Sequence, residues 1–273
     1  MSRIDRRFAA LKAEGRGALM PFLMAYDPDY ETSLAMLRGL PAAGADLIEL
    51  GMPFSDPMAD GPTVQRSGQR ALKAGATTAR VLDLVRAFRT EDDITPIALM
   101  GYLNPVLSYG VGRFCIDAAA AGADGLIIVD MPPEESQELA PDAEAAGLAL
   151  IRLIAPTTDD ARLPRVLQAC SGFLYYVAIT GITGTTSASS DDLALNIPRI
   201  RRHTDLPIAI GFGVRTPAQA AEAARLADGA VVASALIEAM TGTLDANGGA
   251  TPETAAVMLA QVRLLAEAVR LGS

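Results

Sequence analysis

The chain has 273 residues, is half hydrophobic and carries a formal net charge of −9. Such an acidic chain, without an extended basic run, excludes nucleic acid as the expected partner. Its apolar runs are shorter than the roughly 18 residues of a membrane span, and its charged N-terminus lacks the apolar core of a signal peptide. Because its two cysteines suit a reducing compartment, we expect a cytoplasmic protein that spans no membrane.

Short apolar runs alternate with amphipathic stretches along the whole chain. A helix is predicted at residues 2–14, before the first apolar run, and a long helix is predicted at 251–270. Between them, helical stretches such as 77–88 and 216–227 separate the apolar runs. Eight of these runs predict strands, at residues 18–26, 46–50, 96–102, 124–130, 148–154, 172–179, 206–213 and 228–234.

The apolar runs show no strict alternation of polar and apolar residues. This pattern is typical of parallel strands that are buried on both faces. Eight such strands separated by helices predict an α/β fold, a single (β/α)8 TIM barrel over residues 1–273 with the extra N-terminal helix in front. An open doubly wound sheet is the alternative. In such a barrel, the active site forms where the C-terminal ends of the strands meet the following loops.

The stretch LIELGMPFSDPMADGP, at residues 47–62, joins the second strand to its loop. If Leu47 points into the barrel, Glu49 does so too, one step from the end of the strand. Burial there raises the pKa of a carboxyl group, which suits a general acid and base; the alternative is a structural carboxylate that binds backbone N–H groups. Asp60 comes late enough in the loop for the loop to fold back and place it over the barrel mouth; the alternative is an aspartate that only stabilises a turn.

Small-residue turns follow three neighbouring strands, at 180–187, 211–214 and 233–236. Backbone N–H groups in such turns bind anions without a cationic side chain, and the last two strands are the usual phosphate site of this barrel class. We therefore expect a phosphorylated substrate, with Ser234 both capping its helix and binding phosphate; ordinary tight turns are the alternative. The small, polar segment 179–192 predicts a mobile lid.

Aromatic and apolar side chains complete the candidate pocket. One of Tyr175 and Tyr176 must face the barrel interior, either as a proton donor or as part of the core. Polar side chains at other strand ends are well placed but individually weak candidates: Tyr102, Asn104 and Asp130. The apolar wall is expected from Phe22, Met100, Ile127 and Phe212, although such residues are more often simply core.

The scarcity of lysine and histidine restricts the chemistry. Both lysines, Lys12 and Lys73, fall in predicted helices, so the barrel has no lysine for a Schiff base. The single histidine, His203, is too few for a zinc site and lies near a helix end, where a structural role is expected. No Walker or GxGxxG motif supports a nucleotide cofactor. What remains is cofactor-free acid/base catalysis by carboxylates, with a tyrosine as a further candidate, on a phosphorylated substrate. Carbon–carbon cleavage by that means requires a substrate that takes up charge itself, such as an electron-rich aromatic ring.

Five motifs resemble the tryptophan synthase α subunit family in order and spacing: the 47–62 stretch, GYLNPVLSYG, LIIVDMPPEES, ITGITG and GFGV. The resemblance covers nearly the whole chain and implies cleavage of indole-3-glycerol phosphate to indole and glyceraldehyde 3-phosphate. It implies that Glu49 protonates C3 of the indole ring and accepts protons from the glycerol chain, while Asp60 stabilises positive charge at the ring nitrogen. It further implies catalytic Tyr175 and a phosphate site made by Thr183, Gly184, Gly213 and Ser234.

The resemblance also implies a partner, a β subunit that holds pyridoxal phosphate, forms an α2β2 tetramer and receives indole through a tunnel. This chain itself is then expected to need no cofactor. Two positions depart from the family pattern: Ala233 stands where glycine is expected, which predicts a tighter phosphate pocket, and Ile179 replaces a polar lid residue. Two alternatives are another phosphate-binding barrel enzyme, such as an isomerase of a related aromatic intermediate, and a non-catalytic subunit. The 47–62 stretch argues against the first, and the presence of both Glu49 and Asp60 argues against the second.

Overall fold

The computed structural model describes residues 1–177, 190–211 and 213–272, with the backbone alone at residues 190 and 191. The strands are β1 (Ala18–Met24), β2 (Ile48–Gly51), β3 (Ile97–Gly101), β4 (Gly125–Ile128), β5 (Ala149–Ile154), β6 (Leu174–Val177), β7 (Ile208–Gly211) and β8 (Gly229–Val232). Within the described ranges these eight strands form a closed barrel in chain order, all pairs are parallel, and β8 pairs with β1. The predicted TIM barrel is confirmed, and the alternative of an open sheet is wrong.

Helices surround the barrel and cover one of its ends. They are α1 (Arg3–Glu14), α2 (Tyr30–Ala43), α3 (Pro62–Lys73), α4 (Thr78–Arg89), α5 (Leu103–Tyr109), α6 (Val111–Ala121), α7 (Ala140–Ala145), α8 (Leu163–Leu167), α9 (Ser190–Arg201), α10 (Pro217–Leu226), α11 (Ser234–Thr241) and α12 (Thr254–Leu271), with a 3₁₀ helix at Pro133–Glu138. The four helices predicted with bounds correspond to α1, α4, α10 and α12, with ends shifted by three residues or fewer. No helix in the described part of the chain is long and apolar enough to cross a membrane.

Three aspartates close the end of the barrel where the strands begin. Each lies just before its own strand and accepts a hydrogen bond from the backbone N–H at the start of the preceding strand. The pairs are Leu19 N to Asp46 at 2.9 Å, Ile97 N to Asp124 at 2.8 Å and Ile208 N to Asp228 at 2.8 Å. These bonds satisfy strand-end donors that have no ladder partner.

Helix α1 is held over this same end of the barrel. It buries Ile4, Phe8 and Leu11, and Arg3 near its start donates to Asp124 at 3.0 Å. Just beyond the helix, Arg16 donates to both carboxylate oxygens of Asp46, at 2.8 and 2.9 Å. The N-terminal end of the barrel is therefore sealed by apolar packing and buried ion pairs, which leaves the opposite end for a ligand.

Candidate active site

Glu49 points into the barrel from β2. It pairs with Phe22 of β1 and with Ala98 of β3, and only 1% of its surface is exposed. Neither carboxylate oxygen has a hydrogen-bond partner among the described residues, so the alternative of a carboxylate that binds backbone N–H groups has no such contact to support it. Burial, and then the negative charge of Asp60, raises the pKa of Glu49 to about 8. The group therefore holds its proton at neutral pH and can release it just above.

The loop after β2 brings Asp60 back toward Glu49. The Tyr102 hydroxyl accepts a hydrogen bond from Ala59 N at 3.0 Å and bonds the Asp60 carboxylate, while Gln65 Nε2 donates to the Asp60 carbonyl oxygen at 2.9 Å. Burial raises the pKa of Asp60 to about 6, against the lowering effect of the Tyr102 hydrogen bond. At neutral pH the site can thus hold a proton on Glu49 and a negative charge on Asp60.

Tyr175, rather than Tyr176, faces the barrel interior from β6. Burial and the charges of Glu49 and Asp60 raise its pKa well above the ordinary value. Burial also raises the pKa of Tyr176, but the charges that act on that group are those of Arg199 and Asp192 on α9. The Tyr175 ring lies over β7: a Cβ atom on Gly211 would stand 2.2 Å from the Tyr175 hydroxyl oxygen. Glycine at 211 is therefore what allows this ring into the site.

The predicted apolar wall lies on the same inner surface. Residues paired across neighbouring strands point to the same face. Glu49 pairs with Phe22 of β1 and with Ala98 of β3, and Met100, two residues after Ala98, pairs with Ile127 of β4. The three predicted side chains are all buried, with Met100 the most exposed of them at 8%. Phe212 lies outside the described residues.

The turns after β7 and β8 form the candidate phosphate end. Gly213 has φ +85°, a left-handed conformation that favours glycine. Ser234 is the first residue of α11 and does not cap it: the cap is Ala233, without a side-chain hydrogen bond, so the predicted capping role of Ser234 is wrong. The first amides of a helix have no intrahelical acceptor, and those of α11 are thus available to an anion. Ala233 has φ −118°, which is outside the left-handed region that would favour the glycine expected there.

The predicted lid falls mainly outside the described residues. Thr183, Gly184 and Ile179 lie in this undescribed range. Residues 190–192, predicted as the end of the lid, instead form the first turn of α9.

Three other sequence candidates either hold the backbone or lie at the surface. Asp130 accepts a hydrogen bond from Leu103 N at 2.8 Å and so holds the start of α5. Asn104 is exposed on that helix. His203 Nε2 lies 3.4 Å from Asp160 on the outer surface, which agrees with the structural role predicted for it.

Two residues of the candidate site are not clearly indicated by the sequence, Tyr102 and Leu153. Tyr102 was one of several polar residues at strand ends, and only the folded loop shows that it contacts both Ala59 and Asp60. The sequence patterns do not single out Leu153, which pairs with Tyr175 and so faces the same interior. The signal that could have found Leu153 is the alternation along β5 once Tyr175 is known to point inward.

The site contains no lysine side chain, as expected. Lys12 lies on α1 and Lys73 at the end of α3, and both are exposed. In the described ranges, no group of histidine, cysteine, aspartate or glutamate is arranged to hold a metal ion. The geometry favours acid/base chemistry by the buried carboxyl group of Glu49 and the half-buried one of Asp60, beside an apolar wall.

Comparison with known proteins agrees with this arrangement. A family model described as tryptophan synthase alpha chain matches residues 8–268. The chain is 66% identical over 270 residues to the tryptophan synthase alpha chain of Granulibacter bethesdensis, covering 99% of this chain and 97% of that protein. It is 64% identical over 270 residues to the corresponding chain of Gluconacetobacter diazotrophicus, with 99% and 98% covered.

Solved structures show the same similarity. Tryptophan synthase subunit alpha from Legionella pneumophila superposes with a TM-score of 0.89 at 38% identity, covering 98% of both chains. A chain of tryptophan synthase from M. tuberculosis, in its aminoacrylate-bound form, superposes with a TM-score of 0.85 at 35% identity, covering 98% of this chain and 100% of that one.

Proposed function

Because the chain belongs to the tryptophan synthase alpha chain family, and is thus a lyase that cleaves indole-3-glycerol phosphate in tryptophan biosynthesis, we propose that Glu49, Asp60 and Tyr175 carry the cleavage. The observation that supports this most is the Glu49 carboxyl group, buried without a hydrogen-bond partner in the described part of the chain and within electrostatic reach of Asp60. We also propose that this chain uses no cofactor. Indole release from indole-3-glycerol phosphate by the chain and by Glu49→Gln tests the assignment.

The proposed reaction begins with a proton on Glu49. Its carboxyl group donates this proton to C3 of the indole ring, and the positive charge that appears at the ring nitrogen is stabilised by ionised Asp60. The Glu49 carboxylate then takes the proton of the glycerol hydroxyl next to the ring. As that hydroxyl becomes an aldehyde, the carbon–carbon bond to C3 breaks and its electron pair restores neutral indole. The raised pKa of Glu49, about 8, suits a group that must both give and take protons near neutrality.

The remaining contacts position the substrate. Tyr175 keeps its proton, because its pKa lies well above the ordinary value, and is proposed as a hydrogen-bond donor beside the two carboxyl groups. Phe22, Met100 and Ile127, together with Phe212, are proposed to contact the indole ring. The amide groups at 183–184, 213–214 and 234–235 are proposed to bind the phosphate, since the barrel interior offers no lysine.

The phosphate proposal predicts a charge effect at Gly213. Gly213→Asp should abolish detectable binding of glycerol 3-phosphate, because a carboxylate at the turn repels the anion. Gly213→Asn is the matched control, since asparagine has nearly the same shape and tolerates positive φ equally well; it should retain most of the affinity. Isothermal calorimetry measures both variants. Undiminished binding by the aspartate variant would place the phosphate elsewhere.

A tryptophan synthase alpha chain implies a beta-chain partner, and we propose that it binds the face formed by the loops after β2, β3 and β4. Two large apolar side chains are exposed there, Met58 at 77% and Leu107 at 47%. The loop after β4 is held by buried Arg152, which donates to Met131 O at 3.1 Å and also to Ser136 Oγ. We propose an α2β2 tetramer in the cytoplasm, with pyridoxal phosphate in the β subunit.

Docking is expected to order the loop that carries Asp60. Hydrogen exchange at residues 53–61 should slow when a β subunit binds, and Leu107→Asp should weaken the complex roughly tenfold or more, as for a central apolar contact. Ile116→Asp is the control, because Ile116 is equally apolar, 65% exposed and on the outer helix α6; it should bind as the unaltered chain does. Slowing confined to the end of the barrel covered by α1 would show that the partner binds elsewhere.

A further inference from the structure

Helices α3 and α11 connect the two halves of the candidate site. Helix α3 begins at Pro62, directly after Asp60 and Gly61, and α11 begins at Ser234. Thr63 Oγ1 donates to Glu238 Oε1 at 3.2 Å, and Arg70 Nη2 donates to Thr241 Oγ1 at 3.2 Å. Residues seven apart lie on one face of a helix, as do residues three apart, so these contacts join one face of α3 to one face of α11.

The Glu238 carboxylate also reaches the turn after β7. Its second oxygen pairs with the Arg215 guanidinium, two residues beyond Gly213. The backbone of that turn is held by Gln219 Oε1, which accepts from Arg215 N at 2.9 Å and from Thr216 N at 3.1 Å. One carboxylate, a single helical turn beyond Ser234, therefore bridges the two candidate phosphate turns to the first turn of α3.

The rest of α3 is attached to the barrel wall. Arg70 donates to both oxygens of Asp27, at 2.7 Å each, and Asp27 is 1% exposed after β1. At the other end of the helix, Gln65 holds the Asp60 carbonyl oxygen at 2.9 Å. The first turn of α3 is thus linked to α11 through Thr63 and Glu238, and to Asp60 through Gln65.

We propose that Glu238 is a positioning residue that couples phosphate binding to the order of the Asp60 segment, residues 53–65. This coupling rests on the proposed phosphate site. An anion on the amides at 213–214 and 234–235 restrains the turn after β7 and the start of α11. Because Glu238 contacts both Arg215 and Thr63, the first turn of α3 is then restrained as well. By linkage, a restrained Asp60 segment favours the phosphate in return. Arg215 and Glu238 are 52% and 44% exposed, so solvent screening limits the coupling to a severalfold effect.

The test compares hydrogen exchange at residues 53–65 with and without saturating glycerol 3-phosphate. Thr63→Val is the sharpest variant, because it removes one hydroxyl group and changes neither shape nor charge near the phosphate. Glu238→Gln removes the negative charge that pairs with Arg215 and leaves a single oxygen to accept from either Thr63 or Arg215. Asp83→Asn is the matched control: Asp83 pairs with Arg86 at 2.6 Å on α4, with side chains 62% and 45% exposed, and contacts neither α3 nor α11 in the described contacts.

In the unaltered chain and in Asp83→Asn, the ligand is expected to slow exchange at 53–65. In Thr63→Val and Glu238→Gln, calorimetry should still detect binding, but the slowing should shrink severalfold, and kcat for indole release should fall more than KM rises. Full slowing in both variants would overturn the role of Glu238. Binding to the unaltered chain without any slowing would overturn the coupling and leave the phosphate site standing, whereas failure of the unaltered chain to bind glycerol 3-phosphate would overturn the phosphate site and the coupling with it.

Discussion

Glu49→Gln should lower the single-turnover rate of indole formation by roughly 10² to 10⁴, the usual contribution of a general acid or base. Glutamine keeps the shape of the side chain but cannot exchange a proton with C3 or with the glycerol hydroxyl. Substrate affinity should survive, because the apolar wall and the phosphate turns are unchanged. The measurement is indole release in a single turnover, with enzyme in excess over indole-3-glycerol phosphate and well above its dissociation constant.

The same substitution should not destabilise the protein. The folded pKa of Glu49, about 8, lies above its ordinary value of 4.5, so the folded chain keeps a proton that the unfolded chain has lost. The resulting loss of folding stability is absent below pH 4.5, grows as the pH rises toward about 8 and is then constant. Since glutamine never ionises, the variant should be as stable as the parent at acidic pH and more stable by up to a few kcal/mol near pH 8.

A structural carboxylate would show the opposite pattern. Asp92 provides the comparison, since it accepts hydrogen bonds from Ile94 N at 2.8 Å and Thr95 N at 2.7 Å, far from the barrel mouth, and these contacts help to lower its pKa. Asp92→Asn should lose stability and keep its rate. If Glu49→Gln behaves in that way, with a rate within about tenfold of the parent, Glu49 is structural and the proposed mechanism is wrong.

Asp124→Ala should cost about 3–5 kcal/mol of unfolding free energy, as expected when one partner of a buried ion pair is removed. Its side chain is 4% exposed and receives Arg3 Nη1 at 3.0 Å and Arg89 Nη2 at 2.8 Å. It also receives Ile97 N at 2.8 Å. Removal leaves the Arg89 guanidinium, 9% exposed, beside the more distant carboxylate of Asp92, at 3.9 Å. It also leaves the start of β3 without the Asp124 acceptor. Urea unfolding at neutral pH measures the loss.

The control for this effect is an ion pair at the surface. Asp83→Ala removes the carboxylate that Arg86 contacts at 2.6 Å, with side chains 62% and 45% exposed, and should change the unfolding free energy by no more than about 1 kcal/mol. Both variants should retain the activity of the folded fraction, because neither residue lies near the barrel mouth. An Asp124→Ala loss no larger than that of Asp83→Ala would show that α1 and β3 are held by packing alone.

Much of this protein follows from local patterns in its sequence. The eight strands and the helices between them were predictable because the signals that start and end them are local. Apolar runs mark the strands, and glycines such as Gly44 and Gly122 end helices. The position of Glu49 inside an apolar strand, and the absence of lysine from the barrel, were likewise visible from residue order alone. These features needed no knowledge of what lies across the fold.

Contacts between distant parts of the chain were decided only by the tertiary structure. Tyr175 and Tyr176 are adjacent and alike, and only the register with β5 and β7 shows that Tyr175 points inward. Ser234 was expected to cap its helix, but the helix begins one residue earlier than predicted, so that Ala233 is the cap. The approach of Asp60 to Glu49, and the bridge from Glu238 to Thr63, join residues brought together only when the barrel closes. Such contacts depend on the packing of many elements at once, and no local run of residues encodes them.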